Sequence, residues 1–242
     1  MVEQIPGAKM MYLIRRRPET SREELVAHWF ASHMPNVIQR TKDQAQRGQP
    51  HPRRYFATLY DADADGNHPW DGVAQLWWDR PAPMPDEPHG TAPTDTFQQK
   101  VEPYMPWATR EYVVIDGSEH LSNEPLTLNA PYPMTRSGFF KVTFLVAVKP
   151  DTDYEALFAH WLDVHAPNVK QAVEHGGGFR YVVSHSLDPE NAPYAGMAEL
   201  YFHDHAGWAG YREHIQPDGM EAWIDRERME VLRAGTEMVG VP

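Results

Sequence analysis

Read as alternating hydrophobic and polar positions, the chain falls into short strand-like runs separated by amphipathic helical stretches. MMYLIR (10–15) and KVTFLVAV (141–148) are strand-like, and each is followed by a proline that cannot continue a ladder. After the prolines, Thr20-Ser21 with Glu23-Glu24, and Thr152-Asp153 with Glu155, supply helix caps and first-turn acids. Leu25, Trp29, His33 and Leu157, Trp161, His165 then recur at i, i+4, as on one helix face. Two further strand patterns follow in each half: RRYFATLY with GVAQLWW, and FRYVVSH with GMAELYF. A second helical stretch and a last strand, near 109–115 and 231–239, close each half. The order is β-α-β-β-α-β twice, the ferredoxin-like order.

The two halves are copies. Residues 9–37 align with 141–169 without a gap at an offset of 132, with 13 of 29 positions identical, among them Lys9/Lys141, His28/His160, Trp29/Trp161, His33/His165 and the following Pro-Asn-Val. WDGVAQLWWD (70–79) matches YAGMAELYFH (194–203) at an offset of 124. Repeats of this kind organise a fold before any local feature does. The expected domains are residues 1–116 and 138–242, joined by a Ser-, Asn- and Pro-rich linker at 117–137. Prolines 81, 83, 85, 88 and 93 mark 80–96 as a long ordered loop of the first repeat only, placed to act as a lid. The expected fold class is α+β, two tandem ferredoxin-like repeats that cover each other's bare sheet faces as an intramolecular dimeric α+β barrel.

Composition narrows the chemistry. There are 242 residues, 41% hydrophobic and 12% aromatic, enough for a substantial core. A net charge of −12, with no basic stripe on any expected helix, argues against a nucleic-acid partner. No cysteine is present, which excludes disulfides, thiol nucleophiles and thiolate metal sites. No apolar run approaches the roughly 20 residues of a membrane span, and the N-terminal segment lacks a signal-peptide core. A soluble, cytoplasmic protein with no membrane partner is expected.

The chemistry left is that of histidine, carboxylate, tyrosine and serine, and the strongest constellation is HWFASHMPNV (28–37) with HWLDVHAPNV (160–169). On an α-helix, histidines five apart diverge by about 140°, so they cannot clamp a metal as an i, i+4 pair does, and the first of each pair is expected to turn away to a neighbouring element. Pro35 and Pro167 are expected to mark or bend the helix end. His33 and His165 are candidate general acids or bases; a purely architectural role, closing the helix against the sheet, remains open at this stage.

The motif, lying after a short strand and before a two-strand meander, resembles the EthD family of dimeric α+β barrel proteins, over nearly the whole chain as two tandem copies. The resemblance implies small-molecule chemistry without a bound organic cofactor, with dehydratases and decarboxylases among relatives. It makes His28, His33, His160 and His165 the motif histidines, the second of each pair nearer the pocket. The copies differ at the later strand: Asp71 and Gln75 in the first, Ala195 and Glu199 in the second. One reading pairs His165 with Glu199 as acid and base, and sets His33 beside Asp71; the other has Asp71 cap a turn and Glu199 balance Lys141 or Arg180. His28, His160, Trp29, Trp161, Tyr55 and Tyr181 are candidate substrate-binding residues, the aromatic ones as walls or hydroxyl donors. His203, His205 and His214 are weak metal candidates, and GGG at 176–178 lacks the setting of a dinucleotide site. Neither metal nor cofactor is expected.

The leading expectation is therefore a cofactor-independent lyase or isomerase acting on a small apolar or aromatic carbonyl or phenolic metabolite. His33 and His165 serve as acid/base groups, helped by Glu199 or Asp71. The alternatives are a cofactor-free oxygenase and a non-catalytic small-molecule binder. A homodimer of such pseudo-dimers is compatible with this design.

Overall fold

A computed structural model describes residues 2–62, 69–121 and 131–242. Residues 122–130 of the expected linker lie outside these. The first repeat gives β2 (Ala8–Ile14) after a short β1 (Glu3–Gln4), then α1 (Arg22–His28), a π-helical turn (Trp29–His33), α2 (Met34–Gln46), β3 (Arg54–Leu59), β4 (Gly72–Trp78) and β5 (Trp107–Ile115). The second gives β6 (Met134–Val146), α3 (Tyr154–His160), a π-helical turn (Trp161–His165), α4 (Ala166–His175), β7 (Gly178–Ser186), β8 (Gly196–Phe202), α5 (His205–His214) and β9 (Glu230–Val241). The fold class is α+β with antiparallel strands, as the periodicity implied. Helix α1 starts on a capping box, in which Ser21 Oγ accepts from the Glu24 N–H and Glu24 accepts from the Ser21 N–H; Asp153 caps α3 in the same position.

One expected element is missing. No helix forms between β4 and β5; residues 79–106 are turns and isolated bridges. Prolines at 81, 83, 85, 88, 93, 103 and 106 remove donors and block helical backbone before them, so the second helix of the ferredoxin-like order survives only in the second repeat, as α5.

The chain divides into two compact units that are not its contiguous halves. The first comprises Gly7–Ala108, Ser122–Ser137 and Thr236–Pro242. In it β2 pairs with β4, β4 with β3, and β3 with the end of β9, so its outer strand comes from the end of the second repeat. The second comprises Met1–Pro6, Thr109–Leu121 and Gly138–Gly235. In it β6 pairs with β8, β8 with β7, and β7 with β5 of the first repeat, which carries β1 at its other edge.

Each unit buries one tryptophan of the motif between helix and sheet. Trp29 packs with Leu25, Tyr55 and Ala74, and Trp161 with Leu157, Tyr181 and Ala198. The shared Gly72 and Gly196 make this possible: a Cβ on Gly72 would lie 2.9 Å from Trp29 Cζ3, and one on Gly196 would lie 3.0 Å from Trp161 Cζ3. Each unit also buries an ion pair. Arg136 meets Glu237 at 2.7 Å in the first, and Lys141 meets Glu199 at 2.7 Å in the second.

Candidate functional site

The helices run through their prolines. Pro35 and Pro167 sit in the first turns of α2 and α4, directly after the π-helical turns, and α1 through α2, like α3 through α4, is continuous. The Met34 N–H donates to the Trp29 carbonyl and the Ala166 N–H to the Trp161 carbonyl, i to i+5 rather than i to i+4. An α-helical path would press the carbonyl four residues before each proline against the ring, and the widened turn lies where that clash would fall. It also changes where the histidines point. The expected 140° divergence assumed α-helical winding, and the wider turn instead lets both histidines of a pair meet one short segment.

In the first unit that segment is Asp95-Thr96. His33 Nδ1 lies 2.7 Å from Asp95 Oδ2, and His28 Nδ1 lies 2.9 Å from Thr96 Oγ1. Asp95 Oδ1 accepts from the Gln98 N–H, while the Gln98 side chain accepts from both the N–H and hydroxyl of Thr94, so the loop is braced around the carboxylate. Burial alone would raise the Asp95 carboxyl, but the hydrogen bonds from His33 and from the Gln98 N–H outweigh it and hold the group below the ordinary carboxylate value. An ionised carboxylate can only accept, so the Nδ1 of a neutral His33 carries the proton and Nε2 keeps its lone pair.

His33 stands on the wall of a cavity of about 570 Å³. Trp29, Tyr55, Ala74 and Leu76 form its inner wall; α2 lays Val37, Arg40, Thr41 and Gln44 along it; the loop adds Glu87, His89, Asp95, Phe97 and Tyr104. Phe97 packs on both Trp29 and His33, at ring-centroid separations of 5.2 and 4.6 Å. Trp29 Nε1 donates to the Tyr55 hydroxyl at 3.2 Å. Burial pushes the Tyr12 and Tyr104 phenols up to about 12 and Tyr55 higher still, so near neutrality these hydroxyls are donors, not phenolates.

The second unit repeats the motif around a different pocket. His165 Nδ1 lies 2.8 Å from Asp218 Oδ2, which also accepts from Asn168 Nδ2, while Asp218 Oδ1 accepts from the Met220 N–H. Against the raising effect of burial, the bonds from Asn168 and His165 hold the Asp218 carboxyl low. His160 approaches the same carboxylate at 3.8 Å and packs on Trp223 at 4.9 Å. The cavity beside His165 measures about 210 Å³, with Phe144, Trp161, Tyr181, Tyr211, Met220 and Met229 on its walls. Trp161 Nε1 faces the Tyr181 hydroxyl without reaching hydrogen-bond geometry, and both are buried.

His33, His165, Trp29, Trp161, Tyr55 and Tyr181 therefore line cavities, whereas His28 and His160 brace the aspartate-bearing segments from outside them. Glu199 does not meet His165. It alternates with the cavity-facing Ala198 and Leu200 on β8, so strand geometry sends it to the opposite face, where Lys141 pairs with it. Asp71 likewise stays away from His33: its carboxylate takes the N–H and guanidinium of Arg16, at 2.7 and 2.6 Å, and fastens the end of β2. His203, His205 and His214 do not converge, each packing on a different ring (Phe179, Phe140 and His175), and no group of three or more metal-type side chains is gathered among the described residues. The residues missed from sequence are Asp95 and Asp218. They correspond at an offset of 123, beside the 124 of the preceding strands, and that shared position was the available signal.

Residues 149–227 match the EthD domain model. Over that segment the chain is similar to the EthD domain. The match spans His160, His165, Glu199 and Asp218, and the first repeat is related to this EthD segment by the internal alignment. The solved structure of an anthrone oxidase-like protein aligns over 100% of this chain and 98% of its own, at 11% identity and a TM-score of 0.54, which shows a shared fold. A variant of chlorite dismutase from Candidatus Nitrospira defluvii aligns over 97% of this chain and 92% of its own, at 7% identity and a TM-score of 0.47. A heme-binding protein from Thermus thermophilus aligns over 99% and 92%, at 10% identity and 0.43. A search of curated protein sequences finds no match. No helix among the described residues is long and apolar enough to cross a membrane.

Proposed function

We propose that this protein is an enzyme that moves protons on a small aromatic or phenolic carbonyl metabolite, without an organic cofactor, and that the first-repeat cavity is its working site. One observation carries the reading: the 2.7 Å contact of His33 Nδ1 with Asp95 on the wall of a cavity of about 570 Å³ that Tyr12 and Tyr104 also line. Asp95 fixes the tautomer and steadies the imidazolium that forms, while His33 Nε2 takes a proton from the carbon beside the substrate carbonyl. The electron pair passes to the carbonyl oxygen, and a neutral tyrosine hydroxyl donates to the enolate. Returning the proton to a β-hydroxyl expels water; returning it to a different carbon isomerises the substrate. The reaction class is accordingly lyase or isomerase.

The test is deuterium uptake at the α-carbon of an aryl ketone such as 1-tetralone, followed by NMR in D₂O. The protein should accelerate exchange, and His33→Ala should lose about 10²–10⁴ of that acceleration; exchange as fast in the variant as in the parent would sink the reading. A second reading, a cofactor-free oxygenase, draws support from the fold shared with the anthrone oxidase-like protein. It begins with the same proton removal, after which the carbanion reacts with molecular oxygen. Oxygen consumed in step with substrate favours it; turnover unchanged under anaerobic conditions favours the first.

A further inference from the structure

The geometry points to a fused-ring aromatic carboxylate as the substrate class, with Arg40 as the residue that selects for the acid group. This rests on the reading that the first-repeat cavity holds the substrate, and adds what its far end recognises. Arg40 lies seven residues beyond His33 on the same helical side as Val37, Thr41 and Gln44, all on the cavity wall. At about 1.5 Å per residue the two positions are roughly 10 Å apart along the axis. Two or three fused rings with a peripheral carboxylate match that separation.

Arg40 is exposed at the rim and makes no hydrogen bond or ion pair among the described residues, so its guanidinium is free to take a carboxylate with two parallel N–H donors. It shares the cavity wall with His89 and Tyr104 of the loop. The second repeat supplies the control, because Ala172, at the matching helix position, is buried and carries no charge. One group opposes the assignment. Glu87 is on the same cavity wall, exposed and without an ion pair to Arg40, and it would repel an anion.

The experiment compares anthraquinone-2-carboxylate with its carboxamide, titrated against the intact protein at low salt and read by quenching of tryptophan fluorescence. The carboxylate should bind about fivefold tighter than the amide, a modest factor because the contact is partly exposed, and added salt should shrink the ratio. Arg40→Gln should bring the ratio near one, Arg40→Lys should restore part of it, and Glu87→Gln should raise it. A parent ratio of one, a ratio unchanged in Arg40→Gln, or no saturable quenching by either probe overturns the proposal. Failure of the underlying catalytic reading looks different: the acid preference stands while the parent protein exchanges no α-protons.

Discussion

The two cavities are built from one motif and differ in what surrounds it. Both hold a tryptophan over a glycine, a tyrosine on the adjacent strand, and a histidine whose Nδ1 meets an aspartate from a later segment. At matching positions, however, Tyr12 becomes Phe144, Arg40 becomes Ala172, Thr41 becomes Val173 and Phe97 becomes Met220. The first cavity is about 570 Å³ and edged by hydroxyls and charge; the second is about 210 Å³ and largely apolar. The proline-rich segment 79–106, present where the second repeat forms α5, supplies much of the difference. A duplicated scaffold thus keeps the histidine-aspartate pair twice and varies the walls around it.

The sharpest way to break this comparison is to remove each histidine separately. His33→Ala should cost about 10²–10⁴ in rate and His165→Ala no more than a few-fold, as general acid–base roles scale; the reverse order in the deuterium-exchange assay would move the working site to the second repeat. Next is Asp95→Asn, which no longer forces the proton onto Nδ1 and should slow exchange by about 10²-fold or more, whereas Asp218→Asn should leave the rate near that of the parent. Both measurements need only the intact protein and melting curves that show it folded.

Two smaller effects test the supports. Gly196→Ala drives a Cβ to 2.5 Å from the Ser184 carbonyl oxygen and 3.0 Å from Trp161, and should destabilise the protein by about 1–3 kcal/mol, seen as a lower Tm. The least effect near neutrality is expected at His185, which replaces Leu59 of the first repeat at the register opposite the shared glycine. It is stacked on Phe158 at 4.3 Å, and its buried Nε2 has no hydrogen-bond partner. Burial, then Arg110, pushes it from 6.5 to about 3. The unfolded chain therefore binds the proton first, and stability drains away as pH falls from 6.5 towards 3. His185→Leu should change Tm little at pH 7 and lessen its fall on acidification; an unchanged acid response would show that carboxylates alone cause it.

Much of this architecture could be read from the residues. The repeat, the strand periods, the caps at Ser21 and Asp153 and the packing role of the tryptophans all depend on neighbours close in sequence, and they appear where the pattern put them. The second helix of the first repeat failed because seven prolines outweighed the analogy with the other copy. His33 and His165 were legible as a repeated histidine at fixed spacing. Of the two readings for Asp71 and Glu199, the structure matches the one in which Glu199 balances Lys141, because alternation along the strand turns Glu199 away from the helix.

The sequence alone determined that one α+β unit is written twice, that thiol chemistry is closed to a chain without cysteine, and that the two copies have diverged in their carboxylates and walls. Tertiary structure alone decided which acid meets which histidine. The reason is physical: a π-turn just before each proline rewinds each helix by part of a turn, and aspartates 62 and 53 residues downstream are carried back to it by loops whose course no local period records.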